Sequence, residues 1–401
     1  MRISTSQMYQ QNLNSILQKQ TDTNRILEQL SSGKKVNTAG DDPVAAIGID
    51  NLYQQNALVQ QYLKNVDYSK NRLSLAESKL GSAETLVTGI REQMLRAVNG
   101  TLGPSERQTI ADEMRSSLDE LLSIANTQDE SGNYLFAGYN TDTQPFAFDA
   151  SGNMVYSGDS GVRDALVAQG VAMGTNIPGD SAFMNAANAL GDYGVNYLAP
   201  QTGEFRVLSA KISPPGSHVA DTYTFNFTDN GAGGVDLQVL DSSGSAVSNV
   251  ANFDASNPVS FNGIEVKLDG TPAGGDSFTM EPKAEVPIFD TIQQAITLLE
   301  DPDLVNTPNG QAELAQLLDN LDSGMTQLGV ARGVAGNSLK SLESYSSNHA
   351  EEELVNKSAL ALLEDLDYAA AITEFQKQQL ALNAVSNVFS RVGSVSLFDF
   401  I

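Results

Sequence analysis

Apolar residues recur at heptad intervals over both ends of the chain and alternate with polar ones in its middle. From Tyr9 a 4-3 spacing runs through Leu13, Ile16, Gln20, Thr23, Leu27 and Leu30, a coiled-coil seam with two polar members in its centre. Such a helix needs a partner. It is expected to end where Gly33 takes the left-handed position, with Lys34 and Lys35 set against the negative end of its dipole. Asp41 and Asp42 then offer an N-cap and Pro43 a first helical residue, so a second helix starts, without a capping box because the N3 position is Ala45.

From there Leu52, Val59, Val66, Leu73, Leu80, Val87 and Met94 recur one heptad apart, accompanied by Tyr62, Ala76, Ala83, Ile90 and Ala97. A helix from Pro43 to Asn99 would be ~85 Å long at ~1.5 Å per residue. That is too long for an ordinary globular domain, and the expected burial of its stripe is inside a helical bundle. After a turn at "NGTLGPS", Ser105 and Gln108 form the expected capping box of a third helix carrying Ile110, Met114, Leu118 and Leu121.

Beyond "SGNYLFAG" the texture changes to short alternating runs, "EFRVLSAKI", "DTYTFNFTD", "GVDLQVLD", "GIEVKL" and "DSFTM", separated by turn signals at Asp229-Asn230-Gly231 and Asp241-Ser242-Ser243-Gly244. Helical spacing returns at Ile288. It continues through Leu314, Leu318, Leu321, Met325, Leu328, Ala335, Leu339 and Leu342, broken only at Arg332, and then from Leu362 through Leu366, Ala369, Ile372, Phe375, Leu382, Val385 and Phe389 to Val392. The pattern predicts an α+β fold: a long α-helical coiled coil and bundle built from both chain ends, with a central β-rich insertion. The expected divisions are 1–40 with 358–401, 41–140 with 286–357, and 141–285. Amino-terminal helices packed on carboxy-terminal ones would put both termini at one end of an elongated molecule and the β-domain at the other.

At 401 residues with 41% hydrophobic content the chain has ample material for packed cores. Its 49 acidic and 23 basic residues give a net charge of -26, which repels phosphate backbones and anionic lipid, so neither nucleic acid nor membrane is an expected partner. No cysteine is present, so there is no disulfide, thiolate metal site or thiol nucleophile. The opening "MRISTSQMYQQNLNS" lacks the apolar core of a cleavable signal, so any exit from the cell is expected to use another route.

A search for chemistry returns little. Two histidines are available. His349 sits one helical turn from Glu352 and Glu353, which allows a ligand cluster, but a solvated helix face is the expected reading. His218 follows "SPPGS" and reads as a loop residue. "GAGGVD" has glycines in the wrong order for a calcium-binding repeat and reads as a hairpin turn. HExxH, GxSxG and GxxxxGK[ST] are all absent from the sequence. No catalytic, cofactor-binding or metal residue is assigned, and no cofactor is expected.

The terminal seams differ from the central stripe because Gln20, Thr23, Gln379 and Ser386 occupy seam positions. Helices of this kind are marginal alone. The first ~35 and last ~40 residues are therefore expected to be poorly ordered in the monomer and to fold on each other and on neighbouring subunits at assembly. The expected assembly seam is Leu13, Ile16, Leu27, Leu30, Ile372, Phe375, Leu382 and Phe389, and the expected connector between helical layers is Gly33, Lys34, Lys35, Asp41, Asp42 and Pro43.

"LSSGKKVNTAGDDPVAA" and, at Leu363–Ala384, "LEDLDYAAAITEFQKQQLALNA" resemble the paired terminal signatures of the flagellin superfamily. "REQMLRAVNGT" is similar to part of that superfamily's long helix. "MRISTSQMYQQNL", "GNYLFAGYNTDTQPF", "FNGIEVKLDGTPAGGDSFTM" with "IFDTIQQAI", and the closing "SLFDFI" resemble its hook-filament junction branch more than filament flagellin. The resemblance implies a structural, non-enzymatic, extracellular role in the bacterial flagellum: a ring of subunits between the hook-side junction protein and flagellin, secreted unfolded through the flagellar type III channel. It also implies a flagellar export chaperone holding the carboxy-terminal helix. The alternatives are a filament or minor flagellin subunit and, from another class, an adhesin or glycan-binding module in the β-domain.

Overall fold

The computed structural model describes residues 5–98, 102–213 and 215–394. Part of the expected "NGTLGPS" turn and the closing "SLFDFI" lie outside the described residues, as does the Val392 side chain. Among the described residues there are six α-helices, α1 Thr5–Ser32, α2 Pro43–Val98, α3 Pro104–Ala125, α4 Ile288–Glu300, α5 Pro308–Glu364 and α6 Tyr368–Ser394. The chain divides into two compact units, Met1–Lys64 with Tyr345–Ile401, and Asn65–Ser344. Both α2 and α5 contribute residues to each.

In the second unit the heptad stripe of α2 is the axis of a helical core. Val66, Leu73, Leu80, Val87 and Met94 are all buried, as are the companions Ala76, Ala83, Ile90 and Ala97. Also buried in this unit are Ile110, Met114, Leu118 and Leu121 of α3, Ile292, Ala295, Ile296 and Leu299 of α4, and Leu314, Leu321, Leu328, Ala335 and Leu342 of α5, with α3 packed on α4. The break at Arg332 has a physical explanation, because the buried stripe passes through Ala331 while Arg332 stays outside. Its guanidinium lies over Gly81, where a Cβ would come within 3.3 Å, and spans two carboxylates of α2, Nε to Glu77 at 2.7 Å and Nη1 to Glu84 at 2.8 Å.

The start of α3 corrects one expectation. Gly103 is the N-cap, Pro104 opens the helix, and Glu106 accepts the Gly103 N–H at 2.8 Å, so Ser105 and Gln108 form no capping box.

Between α3 and α4 the chain forms β1 Phe146–Phe148, β2 Met154–Tyr156, β3 Asp164–Ala168, β4 Val171–Gly174, β5 Ala186–Ala187, β6 Tyr193–Leu198, β7 Glu204–Ile212, β8 Tyr223–Asp229, β9 Val235–Leu240, β10 Ala246–Val250, β11 Val259–Phe261, β12 Ile264–Thr271, β13 Ser277–Pro282 and β14 Glu285–Val286. An antiparallel five-stranded sheet in the order β10-β9-β8-β13-β6 and a three-stranded sheet β11-β12-β7 share one core. The alternation is read out directly: Tyr223, Phe225 and Phe227 of β8 point inward with Phe278 and Met280 of β13, and the Phe225 and Phe278 rings stack at 4.3 Å. Each of the five expected runs is a strand. The short strands β1 to β5 are not legible in the sequence because two to five residues carry too few alternations to register. "GAGGVD" is the β8–β9 hairpin turn. Gly231 has φ +73°, and Asn230 Oδ1 accepts the N–H groups of Ala232 and Gly234 at 2.8 and 3.0 Å.

Candidate assembly site

The polar connector after α1 and the break before α6 meet in the first unit. Gly33 ends α1 with φ +72°, donating its N–H to Gln29 O at 2.8 Å, and a Cβ there would come within 2.8 Å of Tyr368 Oη. The chain then pairs with the residues that follow α5. Lys35 N–H donates to Glu364 O at 2.6 Å and Leu366 N–H to Gly33 O at 3.0 Å, with Lys34 and Asp365 as antiparallel partners. Gln29 Nε2 adds a hydrogen bond to Lys35 O at 2.6 Å. One connector is thereby tied to the other by backbone.

Side chains lock the joint. Lys34 Nζ forms an ion pair with Glu364, whose second oxygen accepts from Tyr53 Oη at 2.8 Å. This places Lys34 against the end of α5 rather than the end of α1, correcting the expected dipole contact; the carboxylate of Glu364 is the stronger attraction. Burial works against the charge on Glu364, but hydrogen bonds from Lys34 and Tyr53 and the ammonium charge outweigh it and hold this carboxyl below the ordinary range. Hydrogen bonding to Glu364 raises Lys34 and Tyr53 in turn.

The remaining connector residues do local work. Asp41 Oδ2 accepts from Thr38 N and Oγ1 and from Asn37 N at 3.0 to 3.2 Å, bonds that hold its pKa down. Asp42 is the N-cap of α2, its Oδ1 accepting from Val44 and Ala45 N–H at 3.1 and 3.0 Å, and Pro43 is the first helical residue. Asp367 caps α6 in the same way through Ala370 N–H at 3.1 Å. That Asp365-Leu366-Asp367 break interrupts the run from Leu362, and the aspartate ahead of an apolar-periodic stretch was its available sequence signal. Beneath the joint Val36, Ile49 and Leu360 form a small core with Ala45, Ala46, Leu52 and Leu363.

From this joint α1 and α6 run side by side. Along α1 the residues turned toward the contact are Asn12, Ile16, Lys19, Thr23, Ile26 and Leu30, with Ile26 alone among them buried. Opposite them Ala371 is buried and Phe375, Gln378, Leu382, Val385 and Phe389 are half-buried. The Tyr9 and Phe389 rings meet at 4.8 Å, and Lys19 Nζ reaches Gln378 Oε1 at 3.1 Å. The intramolecular stripe thus shares Ile16, Thr23 and Leu30 with the expected seam, but Ile26 takes the place of Leu27. Leu13, Leu27 and Ile372 are 40%, 54% and 46% exposed, and Leu17, Leu380 and Val388 are exposed beside them.

His349 is not on a solvated face. It is buried, with Tyr62 stacked at 5.5 Å and Tyr345 at 6.4 Å, and its Nδ1 lies 3.4 Å from Glu352. Among the described residues no group of three or more histidine, cysteine or carboxylate side chains is placed to hold a metal ion. His218 is fixed by a 2.8 Å hydrogen bond to Tyr193 Oη. No described helix is long and apolar enough to cross a membrane.

The arrangement therefore presents half-covered terminal helices hung on a locked double connector, and comparison with known proteins gives it a family. Residues 3–141 match the bacterial flagellin N-terminal helical region. Flagellar hook-associated protein 3 of Escherichia coli K12 is 34% identical over 223 residues, 55% of this chain and 69% of that protein. Its Salmonella typhimurium counterpart is 38% identical over 146 residues, 36% of this chain and 46% of that protein. The crystal structure of flagellar hook-associated protein 3 from Legionella pneumophila superposes with a TM-score of 0.70 at 28% identity, covering 79% of this chain and 98% of that one. These relatives are structural proteins of the flagellum and not enzymes. On these matches the chain belongs to the flagellar hook-associated protein 3 family, the hook-filament junction branch of the flagellins.

Proposed function

We propose that this protein is the adaptor that joins the hook, through the hook-side junction protein, to the flagellin filament, as a ring of identical subunits. In this reading residues 1–40 and 358–401 line the central channel, 41–140 with 286–357 make the tube wall, and 141–285 face outward. The observation that carries it is the α1–α6 pair, whose own seam is only half-buried while Leu13, Leu17, Leu27, Ile372, Leu380 and Val388 are left uncovered. An apolar stripe of this kind on both helices is what neighbouring subunits would cover. Assembly also suits passage of an unfolded chain through the flagellar type III channel, since no disulfide has to form or break. During export a chaperone holds α6 through Ile372, Phe375, Leu382 and Phe389, by helix-in-groove packing.

Leu27→Asp combined with Leu380→Asp puts charges on the uncovered stripe without disturbing the α1–α6 contact. Electron microscopy of flagella from cells carrying this variant should show hooks without filaments, while the purified variant keeps wild-type helicity. Normal junctions would refute the assignment. Purified wild-type protein that elongates into long filaments by itself would instead favour a filament subunit.

A further inference from the structure

The paired strands β6 and β13 have an apolar face in the aromatic core and a polar face that meets helices. Phe278 and Met280 of β13 are buried in that core, so the alternation turns Thr279 and Glu281 the other way, beside Asn196 and Gly194 of β6. Gln316 of α5 donates through Nε2 to Val195 O at 3.3 Å, and Asn320, one turn on, accepts from the Ala189 N–H at 2.9 Å. Asp290 and Gln294 of α4 are spaced i, i+4, and Glu313 and Gln316 of α5 are spaced i, i+3, which puts each pair on one helix face. A cleft of about 320 Å³ opens here, lined by Glu281, Lys283, Asp290, Gln294, Glu313 and Gln316. A second cleft, of about 260 Å³, shares Asp290, Gln294 and Glu313 with the first.

What these walls lack is a donor that carries positive charge. Asp290 Oδ1 accepts the Met154 N–H at 2.6 Å, while its other oxygen has no partner among the described residues. Glu313 has neither a hydrogen-bond donor nor a cation beside it among the described residues, and burial alone lifts its carboxyl above the ordinary range. Gln316 Oε1 is closed to solvent without a donor, its amide nitrogen being taken by Val195. The charge of Lys283 reaches Asp290 but not Glu313. With Glu281, Asp290 and Glu313 set against Lys283 alone, the lining of the larger cleft is net negative by two. Acceptors removed from water without a donor are costly, and a water molecule would donate to them but leave the charge uncompensated. Among the described residues no carboxylate and histidine group is placed to hold a metal ion, which directs the site to an organic cation. Both clefts are at or below the ~300 Å³ at which small-molecule sites begin, so the cation is short and unbranched. Two clefts that share one pair of carboxylates suit a cation with an ammonium at each end.

We infer that Asp290 and Glu313, with Gln294 and Gln316 beside them, bind a short linear aliphatic diamine where α4 and α5 meet the polar face of β6 and β13. The test is calorimetric titration of putrescine into the full chain at constant ionic strength. Wild type should bind one molecule per chain, saturably. Glu313→Gln should weaken that binding at least about tenfold, because a hydrogen bond to a charged group is lost. Butylamine, with a single ammonium, should bind about tenfold more weakly than putrescine by the same measure, and equal affinity would overturn the diamine assignment. The diol of the same chain length should not displace putrescine, and displacement would overturn recognition of the ammonium groups. Equal binding to wild type and Glu313→Gln is the behaviour of a merely acidic surface and overturns the site, as does the absence of saturable binding. Thermal unfolding checks the variant: without putrescine Glu313→Gln should melt no lower than wild type, since an unpaired buried charge is removed, and putrescine should raise the Tm of wild type alone. Should the variant fail to fold, wild-type crystals grown with putrescine decide. Density for the diamine between Asp290 and Glu313 supports the assignment, and water alone in the cleft overturns it.

Discussion

At Glu364 the cost of burying a carboxylate is set against Lys34, Tyr53 and a backbone pairing on the same residue. Its folded pKa lies below the unfolded one, so the folded chain binds fewer protons there. The stabilisation is therefore complete above the ordinary glutamate range, about 4.3, and is lost as pH falls through the folded value. Lys34, raised by the same contact, contributes below its unfolded pKa and loses its contribution only in strong alkali. Amide protection at Lys35 and Leu366, whose N–H groups close the joint, should decline on acidification below about pH 4.3. Glu364→Gln should lower that protection at neutral pH and flatten its acid dependence. Unchanged protection in the variant would mean the backbone pairing holds by itself. Sequence reasoning located Gly33, Asp42 and Pro43 in their roles because capping depends on neighbours in the chain. It missed Glu364 as the partner of Lys34, since that contact spans more than three hundred residues.

Among the elements, α2 is the most legible and the most demanding. A heptad of fully buried side chains needs no tertiary information to be recognised, because an unbroken period over that length has no other stable use. Leu80 has no exposed surface. Leu80→Ala should cost roughly 2–5 kcal/mol through a cavity in this core, seen as a lowered denaturant midpoint with an unchanged slope. A loss below about 1 kcal/mol would show that the core collapses around the change. The terminal helices behave differently. Their stripes are interrupted by polar residues and are wide enough for two contacts, so the spacing alone could not choose between Ile26 and Leu27 as the residue facing α6. Arg332 is a related case: it breaks the heptad on paper, whereas in space it lies over Gly81 and binds Glu77 and Glu84.

For the whole molecule, the two units differ in how much apolar surface each buries for itself. Asn65–Ser344 contains the helical core and the aromatic β core. Among the described residues of the other unit the buried apolar side chains are few, Ile26, Val36, Ile49, Val59, Leu360 and Ala371. Burial is the main stabilising term, so calorimetry should resolve two transitions, the terminal unit melting first. Limited proteolysis at the lower transition should leave a fragment close to residues 65–344. A single transition with coincident loss of helicity and aromatic signal would show that α2 and α5 couple the units completely.

Local order and periodicity were determined by the sequence alone: the long helices, the five principal strands, the caps at Asp42 and Pro43, and the absence of cysteine chemistry. Each depends on residues within a few positions of one another, where sterics and hydrogen bonding act without the rest of the chain. Only the tertiary structure decided which distant groups meet. It set Lys34 on Glu364, buried His349 between Tyr62 and Tyr345, and turned Ile26 inward. Those pairings depend on packing angle and register between elements far apart in the chain, quantities that a periodic pattern leaves free.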